Sequence, residues 1–329
     1  MTPEPDKILV LHFGQLGDVI LGLPALSAIR ERFPAAHITA VCGRSPAQVI
    51  EMARVADDVI SVDRVELRDG PKHRSILKIF ALVRQIRRLD IDLAIDLHSL
   101  SETNLLAFVS RAKYRLLADR HGRSLNILNN VRPKPPKEDR DAHLSLRYLA
   151  ALRPLGIKGE RPSFRFPETG NAERTDTVGL FPGAGHPSRC WPYDRFGELS
   201  RRLLSEGFRC RIFLGPEETE NAKSILDHFP SEADVVTGLS LSELVAATSG
   251  LRAFVTNDTG PMHLAACSGC PIVLVMDERA PTTYLPLTER LEAVNNARIE
   301  AISVDDVHAA VSRISSDDGT QNDNAPRRC

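Results

Sequence analysis

Five short β-branched runs between residues 7 and 119 alternate with longer amphipathic stretches, and the same alternation restarts at residue 177. The first-half runs are KILVLHF, HITAVCG, DVISVD, DLAIDLH and YRLLAD; the second-half runs are TVGLFP, FRCRIFLG, ADVVTG, RAFVTN and PIVLVM. Strands spaced by helices in this way argue for parallel sheets built from βαβ units. The expected first-half helices lie near VILGLPALSAIRERF, PAQVIEMA, SILKIFALVRQIRRL and TNLLAFVSR. The second-half helices lie near DRFGELSRRLLSEG, ETENAKSILDHF, SLSELVAATSG and PMHLAACSG. Between the halves come the charged, proline-rich loop NVRPKPPKEDRD, a helix over HLSLRYLAALRPLG and the linker KGERPSFRFPETGNAERTD. The expected fold class is α/β, with two Rossmann-like doubly wound domains over residues 1–165 and 166–303 facing a central cleft. After a short strand, ISVDDVHAAVSRI should form a last helix over 304–315, and the polar tail 316–329 is expected to be disordered.

Composition excludes several function classes. Charged residues make up 26% of the 329 residues and nearly balance, for a formal net charge of −1, so bulk charge gives no case for a nucleic-acid partner. No apolar run approaches the ~20 residues that span a bilayer. The start, MTPEPDK, has neither the positive charge nor the apolar stretch of a signal peptide. Six scattered cysteines fit reduced thiols, and the chain is expected to be soluble and cytoplasmic. Cys267 and Cys270, in CSGC, have no second CxxC or suitable His pair beside them, which favours packing at a helix–strand junction over zinc or redox chemistry.

In open parallel sheets ligands sit beyond the carboxyl ends of the strands, so the loops that follow strands are the informative ones. HFGQLGDVILGLP, residues 12–24, places a glycine turn after the first strand but lacks the GxGxxG spacing of a dinucleotide loop. Asp18 at the start of its helix reads either as a cap or as a general base. NDTGPMHLAA reads as a strand end at Asn257 or Asp258, then Thr259 and Gly260 opening a helix with Pro261 in its first turn. Exposed N–H groups and the positive helix end there make a phosphate site, or else an ordinary N-cap. His263 is one turn in, either reaching that ligand or packed in the core. FPGAGHPSRCWP carries Ser188, Arg189 and the only Trp, Trp191. Arg189 offers a planar fork suited to a diphosphate, and Ser188 one more donor; the alternative is a surface arginine beside a packing Trp. Glu217 and Glu218 could accept from ribose hydroxyls or simply face solvent in a first helical turn. Asp90-Ile-Asp92 has the Asp-x-Asp form of a metal-holding pair but lies at the wrong end of its strand.

Three segments together, GQLGDVILGLPAL, FPGAGHPSRCWPYDRFGELSRRL and NDTGPMHLAACSGCPIVLV, resemble the heptosyltransferase family, glycosyltransferase family 9. The resemblance covers both halves in order, over most of residues 7–287. It implies a GT-B fold and an inverting transfer of heptose from ADP-heptose to a lipopolysaccharide-type, lipid-linked saccharide acceptor, with no metal and no other cofactor. It also implies a last helix that crosses back onto the first domain. By the same resemblance the general base falls on Asp18, the diphosphate-binding cation on Arg189, and the donor-binding groups on Asp258, Thr259, Gly260 and His263. Arg189 stands where the family usually has lysine, HFGQ replaces the commoner small polar residues before LGD, and MDERAPTTYLP lacks the FGPTxP form.

Glu217 and Ser188 complete the expected donor set; Gly17, Arg120 and Arg123 are the expected acceptor side, because the last two follow the strand YRLLAD. The helix near 73–89 sets Ile76, Ile79, Phe80 and Val83 against Arg74, Lys78 and Arg88, a solvated face or a peripheral contact with the cytoplasmic side of the inner membrane. Two other classes compete. One is an NAD-linked oxidoreductase or another nucleotide-sugar enzyme, of which the absent GxGxxG disfavours the NAD version; the other is a noncatalytic scaffold of the same fold, disfavoured by Asp18, Arg189 and Asp258.

Overall fold

The computed structural model describes residues 4–63, 72–159, 162–170 and 172–316. Two compact units emerge, one running to Pro167 with a return segment Thr282–Leu287, the other beginning at Glu168 and resuming at Thr288.

The first unit is built on a five-stranded sheet of β1 (Lys7–His12), β2 (His37–Gly43), β3 (Asp58–Val62), β4 (Leu93–Asp96) and β5 (Tyr114–Leu117), in the order β3-β2-β1-β4-β5. Every pairing is parallel; Leu11 stands opposite Val41 on one side and Asp96 on the other. The central strand is buried after Lys7, so its two faces need two helical layers. One face packs Leu9, Leu11 and Phe13 with Ile86, Ala94, Ala107 and Leu117. On the helix Leu16–Arg32, Val19, Ile20, Leu23, Leu26 and Ile29 are all buried. Asp92 accepts from the amides of Asp6 and Lys7 and so fixes where β1 begins, which is a structural use of the Asp-x-Asp pair.

The second unit carries a six-stranded, all-parallel sheet in the order β11-β10-β9-β6-β7-β8. Its strands are β6 (Thr177–Phe181), β7 (Arg209–Leu214), β8 (Asp234–Thr237), β9 (Ala253–Asn257), β10 (Ile272–Asp277) and β11 (Leu291–Asn296). The edge strand β11, over LEAVNN, is the short strand expected ahead of the last helix; it is polar and has no buried residue, so its letters carry little strand signal.

The last helix, Val304–Ser316, corrects one expectation. Its apolar stripe of Val307, Ala310, Val311 and Ile314 is buried in the second unit's core with Val255, Val273 and Leu203, and does not return to the first unit. The return is made instead by Thr282–Leu287, where the His143 ring bonds the Leu285 carbonyl at 2.9 Å. Residues 317–329, expected to be disordered, lie outside the described residues.

Candidate functional site

Both sheets reverse their strand order next to the first strand of the unit, between β1 and β4 and between β6 and β9. Loops leaving such a switch point diverge, and the gap between them is where ligands bind in this class of sheet. Asp18, Ser188, Arg189, Asp258 and Thr259 stand on the loops after β1, β6 and β9, whereas Arg120 and Arg123 follow β5 and Glu217 follows β7.

In the first unit, β1 ends at His12 and the chain turns through Gly14 into the helix Leu16–Arg32. Asp18 is the third residue of that helix, and its Oδ2 accepts from the Gln15 amide at 3.1 Å. It therefore does cap the helix, and it is partly exposed, so the carboxylate is open to a ligand. Gly14 is there by necessity: a Cβ on it would meet Asp18 Cβ at 2.5 Å and the His12 ring at 2.9 Å. Gly17 is the residue just before Asp18 in the same turn and is also partly exposed.

His12 lies beneath the turn at 1% exposure, its Nδ1 accepting from the Gly14 amide at 3.3 Å and its ring 4.9 Å from that of Tyr148. Its Nε2 has no hydrogen-bond partner, and Gly22 leaves just enough room for it: a Cβ there would come within 2.7 Å. Burial, with help from His98 and Arg120, pushes the His12 pKa well below its ordinary value of 6.5, so the ring is neutral. A depressed pKa on a base makes its contribution to stability complete above pH 6.5, and that contribution falls away as pH drops below it. The destabilisation caused by His12→Asn, which keeps an acceptor near the Nδ1 position, should shrink by about 1.4 kcal/mol per pH unit below 6.5. Denaturant titrations of both proteins at pH 8, 6 and 5 check this, and a pH-independent difference would show the ring to be charged in the fold. Asp96, raised to about 6 by burial against the opposing pull of Thr103, Ser99 and Asn104, works with the opposite sign over pH 4 to 6, but it is common to both proteins and cancels.

Arg120 and Arg123 follow β5, as expected, yet differ in setting. Arg123 is exposed, whereas Arg120 lies over the Tyr148 ring at 5.4 Å and 3.7 Å from Glu138. Arg147 shares Glu138 at 3.5 Å, so two guanidinium groups bracket one nearly buried carboxylate. Burial raises the Tyr148 phenol, Arg120 pulls it back, and Asp18 raises it further, which places all three within electrostatic reach. The turn carrying Arg120 is pinned by buried Asp96, which accepts from the Ser99 amide at 2.7 Å and Asn104 Nδ2 at 2.6 Å. Ser99 in turn meets Ser124, whose hydroxyl accepts from the Arg120 amide at 2.8 Å. Tyr148, Glu138 and Arg147 escaped the sequence reading because they lie in a charged loop and a helix that showed no ligand pattern.

In the second unit, β6 leads into the turn 182–186 and the short 3-10 helix Pro187–Arg189. Ser188 turns back on its own loop, its Oγ 2.8 Å from His186 Nδ1. Arg189 is 62% exposed and stands 3.6 Å from Asp258, an ion pair in which the guanidinium stays largely open to a ligand. Burial raises the Asp258 pKa and Arg189 lowers it in part. Thr259, with extended backbone, is the N-cap of the helix Gly260–Cys267, with Pro261 in its first turn, so the helix start reads as the sequence indicates. The four leading N–H groups of such a helix have no partner within it, and Pro261 removes one donor, leaving the rest for an anion. His263, one turn in, is 5% exposed and belongs to the buried side.

Asn257 welds the two loops together. Its Oδ1 accepts from the Trp191 amide at 3.0 Å, and its Nδ2 donates to the Pro182 and Gly183 carbonyls at 2.9 and 3.1 Å. Of the two glutamates after β7, Glu217 is exposed. Glu218 is the one that turns inward: Oε2 accepts from the Gly215 amide at 3.0 Å, and the carboxylate fills the space where a Gly183 side chain would be. Burial raises its pKa. Cys267 and Cys270 are fully buried, with thiols pushed up to about 12, as a packing role requires. Among the described residues no group of His, Cys, Asp and Glu has the arrangement of a metal site.

Comparison with known proteins gives this arrangement a family. Residues 79–310, more than half the chain, match the model of glycosyltransferase family 9 (heptosyltransferase). Lipopolysaccharide heptosyltransferase 2 of Salmonella typhimurium is 28% identical over 123 residues, 36% of this chain and only 35% of that protein's own length. Lipopolysaccharide heptosyltransferase 3 of Escherichia coli K12 is 20% identical over 297 residues, 84% of this chain and 83% of that one. The structure of E. coli heptosyltransferase WaaC with ADP superposes with a TM-score of 0.81 at 18% identity, covering 94% of this chain and 99% of that one. A glycosyl transferase family 9 structure from Veillonella parvula superposes at 0.80 with 24% identity, covering 96% and 99%. At such identities the structural likeness establishes the fold, a GT-B-like pair of parallel-sheet α/β domains. Because the family model runs from the first unit into the last helix of the second, the chain belongs to glycosyltransferase family 9, the heptosyltransferase family.

Proposed function

We propose that the chain is an inverting glycosyltransferase that moves heptose from an ADP-sugar to a lipopolysaccharide-type, lipid-linked acceptor, with Asp18 as general base. The observation that carries this reading is the second-unit arrangement: an exposed guanidinium, Arg189, beside the N-terminus of the helix Gly260–Cys267. Positive groups so placed suit a diphosphate, and they gain most where its negative charge grows as the bond to the sugar breaks. Thr259 adds a hydroxyl there, Glu218 is the inward carboxylate able to accept from a ribose hydroxyl, and Glu217 and Ser188 remain donor-side candidates at the edges, with His263 on the buried side. The relatives' names support heptose and lipopolysaccharide, and one neighbour was solved with ADP.

On the acceptor side, Asp18 takes the proton from an acceptor hydroxyl as that oxygen bonds the anomeric carbon, and the electrons of the breaking bond leave with ADP. A carboxylate is a weak base against an alcohol, and it serves when proton transfer is late, after the developing oxocarbenium ion has acidified the attacking oxygen. Attack opposite the leaving group inverts the anomeric centre in one step. Arg120 and Arg123 supply cations for an acidic acceptor, Arg123 the freer of the two.

A thermal-shift panel of ADP, UDP, GDP, CMP and NAD without added metal tests the donor. ADP at about 100 times its dissociation constant should stabilise the fold by ~2.7 kcal/mol, several degrees, and Arg189→Ala should abolish most of that shift. Preference for UDP or GDP replaces the donor; preference for NAD, or no response, overturns the reading.

A further inference from the structure

The helix Lys72–Arg88 departs from ordinary amphipathy. Its inner side is held by Ile86, buried, with Leu82 and Leu89 packed against the first unit's core. Its outer side carries Ile76, Leu77, Ile79 and Phe80, all exposed, with Leu77 and Phe80 at 66% and 68%. The neighbouring helix Ser101–Val109 adds exposed Leu105 and Phe108, and Ile127 beyond β5 stands 91% exposed. The pieces are tied to one another: Arg87 Nε donates to the Val109 carbonyl at 2.8 Å, and Arg115 lies over the Phe108 ring while donating to the Leu128 carbonyl. Seven large apolar side chains exposed over residues 76–127 are more than scattered surface hydrophobes account for.

The charge on the same face identifies what covers it. Residues 72–88 contain six Lys or Arg and no acid, in a chain whose net charge is −1. Steps of four residues along one stripe of the helix read Ile76, Phe80, Arg84, Arg88, and both arginines are exposed. Over residues 72–110 the acids are Asp90 past the helix end, Asp92 on the amides of β1, buried Asp96, and Glu102 bonded to Ser101. A protein interface is depleted of charge at its apolar core, whereas this stripe mixes the two along its length. Large apolar groups with long cations beside them match a bilayer surface, where the apolar tips enter the acyl boundary and the guanidinium groups reach up to lipid phosphates. We propose that this face of the first unit, formed by Ile76, Leu77, Phe80, Arg84, Arg88 and Phe108, docks on an anionic lipid bilayer. It deepens the transferase reading, on which its purpose rests, by bringing the acceptor-side unit to the surface where a lipid-linked saccharide is held.

The test is co-sedimentation of the full chain with phosphatidylcholine vesicles that do or do not contain phosphatidylglycerol, at low and high salt. Wild type should bind the anionic vesicles and release them at high salt. Leu77→Ser/Phe80→Ser should abolish binding, and Arg84→Gln/Arg88→Gln should weaken it about 25-fold, since each cation near such a surface contributes about fivefold. All four positions are exposed, and an unchanged thermal transition with an unchanged ADP-induced shift confirms that each variant is folded. Failure of wild type to bind, binding indifferent to both variants, or a concentration-dependent dimer dissolved by the serine variant would each overturn the proposal. Vesicle binding without an ADP response would leave the docking face and remove the transferase reading; an ADP response without vesicle binding would do the reverse.

Discussion

Asp18→Asn is expected to lower turnover by about 10²–10⁴-fold while leaving ADP affinity within a factor of two of wild type. The variant separates the two roles that the structure gives this carboxylate. Asn keeps the size of the side chain and an oxygen that can accept from the Gln15 amide, so the first turn of the helix stays capped. Only the basicity is lost. The groups assigned to ADP, Arg189 and the Gly260 helix start, belong to the other unit. Turnover measured with ADP-heptose and a core lipid acceptor, beside ADP titration of the same preparation, checks it. Parallel loss of turnover and ADP affinity would show that Asp18 acts through the fold, and full activity would return it to a cap.

Why the strands were legible and parts of the site were not follows from the kind of signal each leaves. A buried parallel strand must be apolar on both faces, so KILVLH and PIVLVM announce themselves whatever surrounds them. The helix start at Gly260 is equally local, since Thr-Gly-Pro at a strand end states a cap, a close approach and a first-turn position in three letters. The last helix shows the limit of such signals. Amphipathy says that Val307, Val311 and Ile314 are covered but not by which sheet, and only tertiary packing decides for the second core. Glu217 and Glu218 are indistinguishable as acids in a first turn; the absent side chains of Gly183 and Gly215 leave room for Glu218 and draw it inward. Arg120 and Arg123 likewise read alike, until Tyr148 and Glu138, far along the chain, nearly bury one and leave the other open.

Trp191→Ala should cost about 3–5 kcal/mol, a large part of the stability of a single domain. The side chain is wholly buried, edge-on to Phe196 with ring centres 4.9 Å apart, and its indole N–H donates to the Ile302 carbonyl at 3.0 Å. Truncation therefore leaves a cavity among Phe196, the strands and the segment leading to the last helix, all in the second unit. Trp191→Phe is the informative companion. It keeps most of the apolar volume, and the Ile302 carbonyl is not orphaned, because Arg195 Nη1 also donates to it. Its cost should be that of one hydrogen bond and a little lost packing, about 1–2 kcal/mol. The two variants also differ in what they do to the donor loop. The Trp191 backbone amide stays on Asn257 in both, but only the alanine variant removes the buried anchor two residues after Arg189. ADP-induced stabilisation should survive in Trp191→Phe and fall in Trp191→Ala, alongside an early denaturation transition confined to the second unit. A single shifted transition for the whole chain would mean that the two units unfold together. Equal loss of the ADP shift in both variants would mean that the indole N–H, and not the bulk of the ring, holds Arg189 in place.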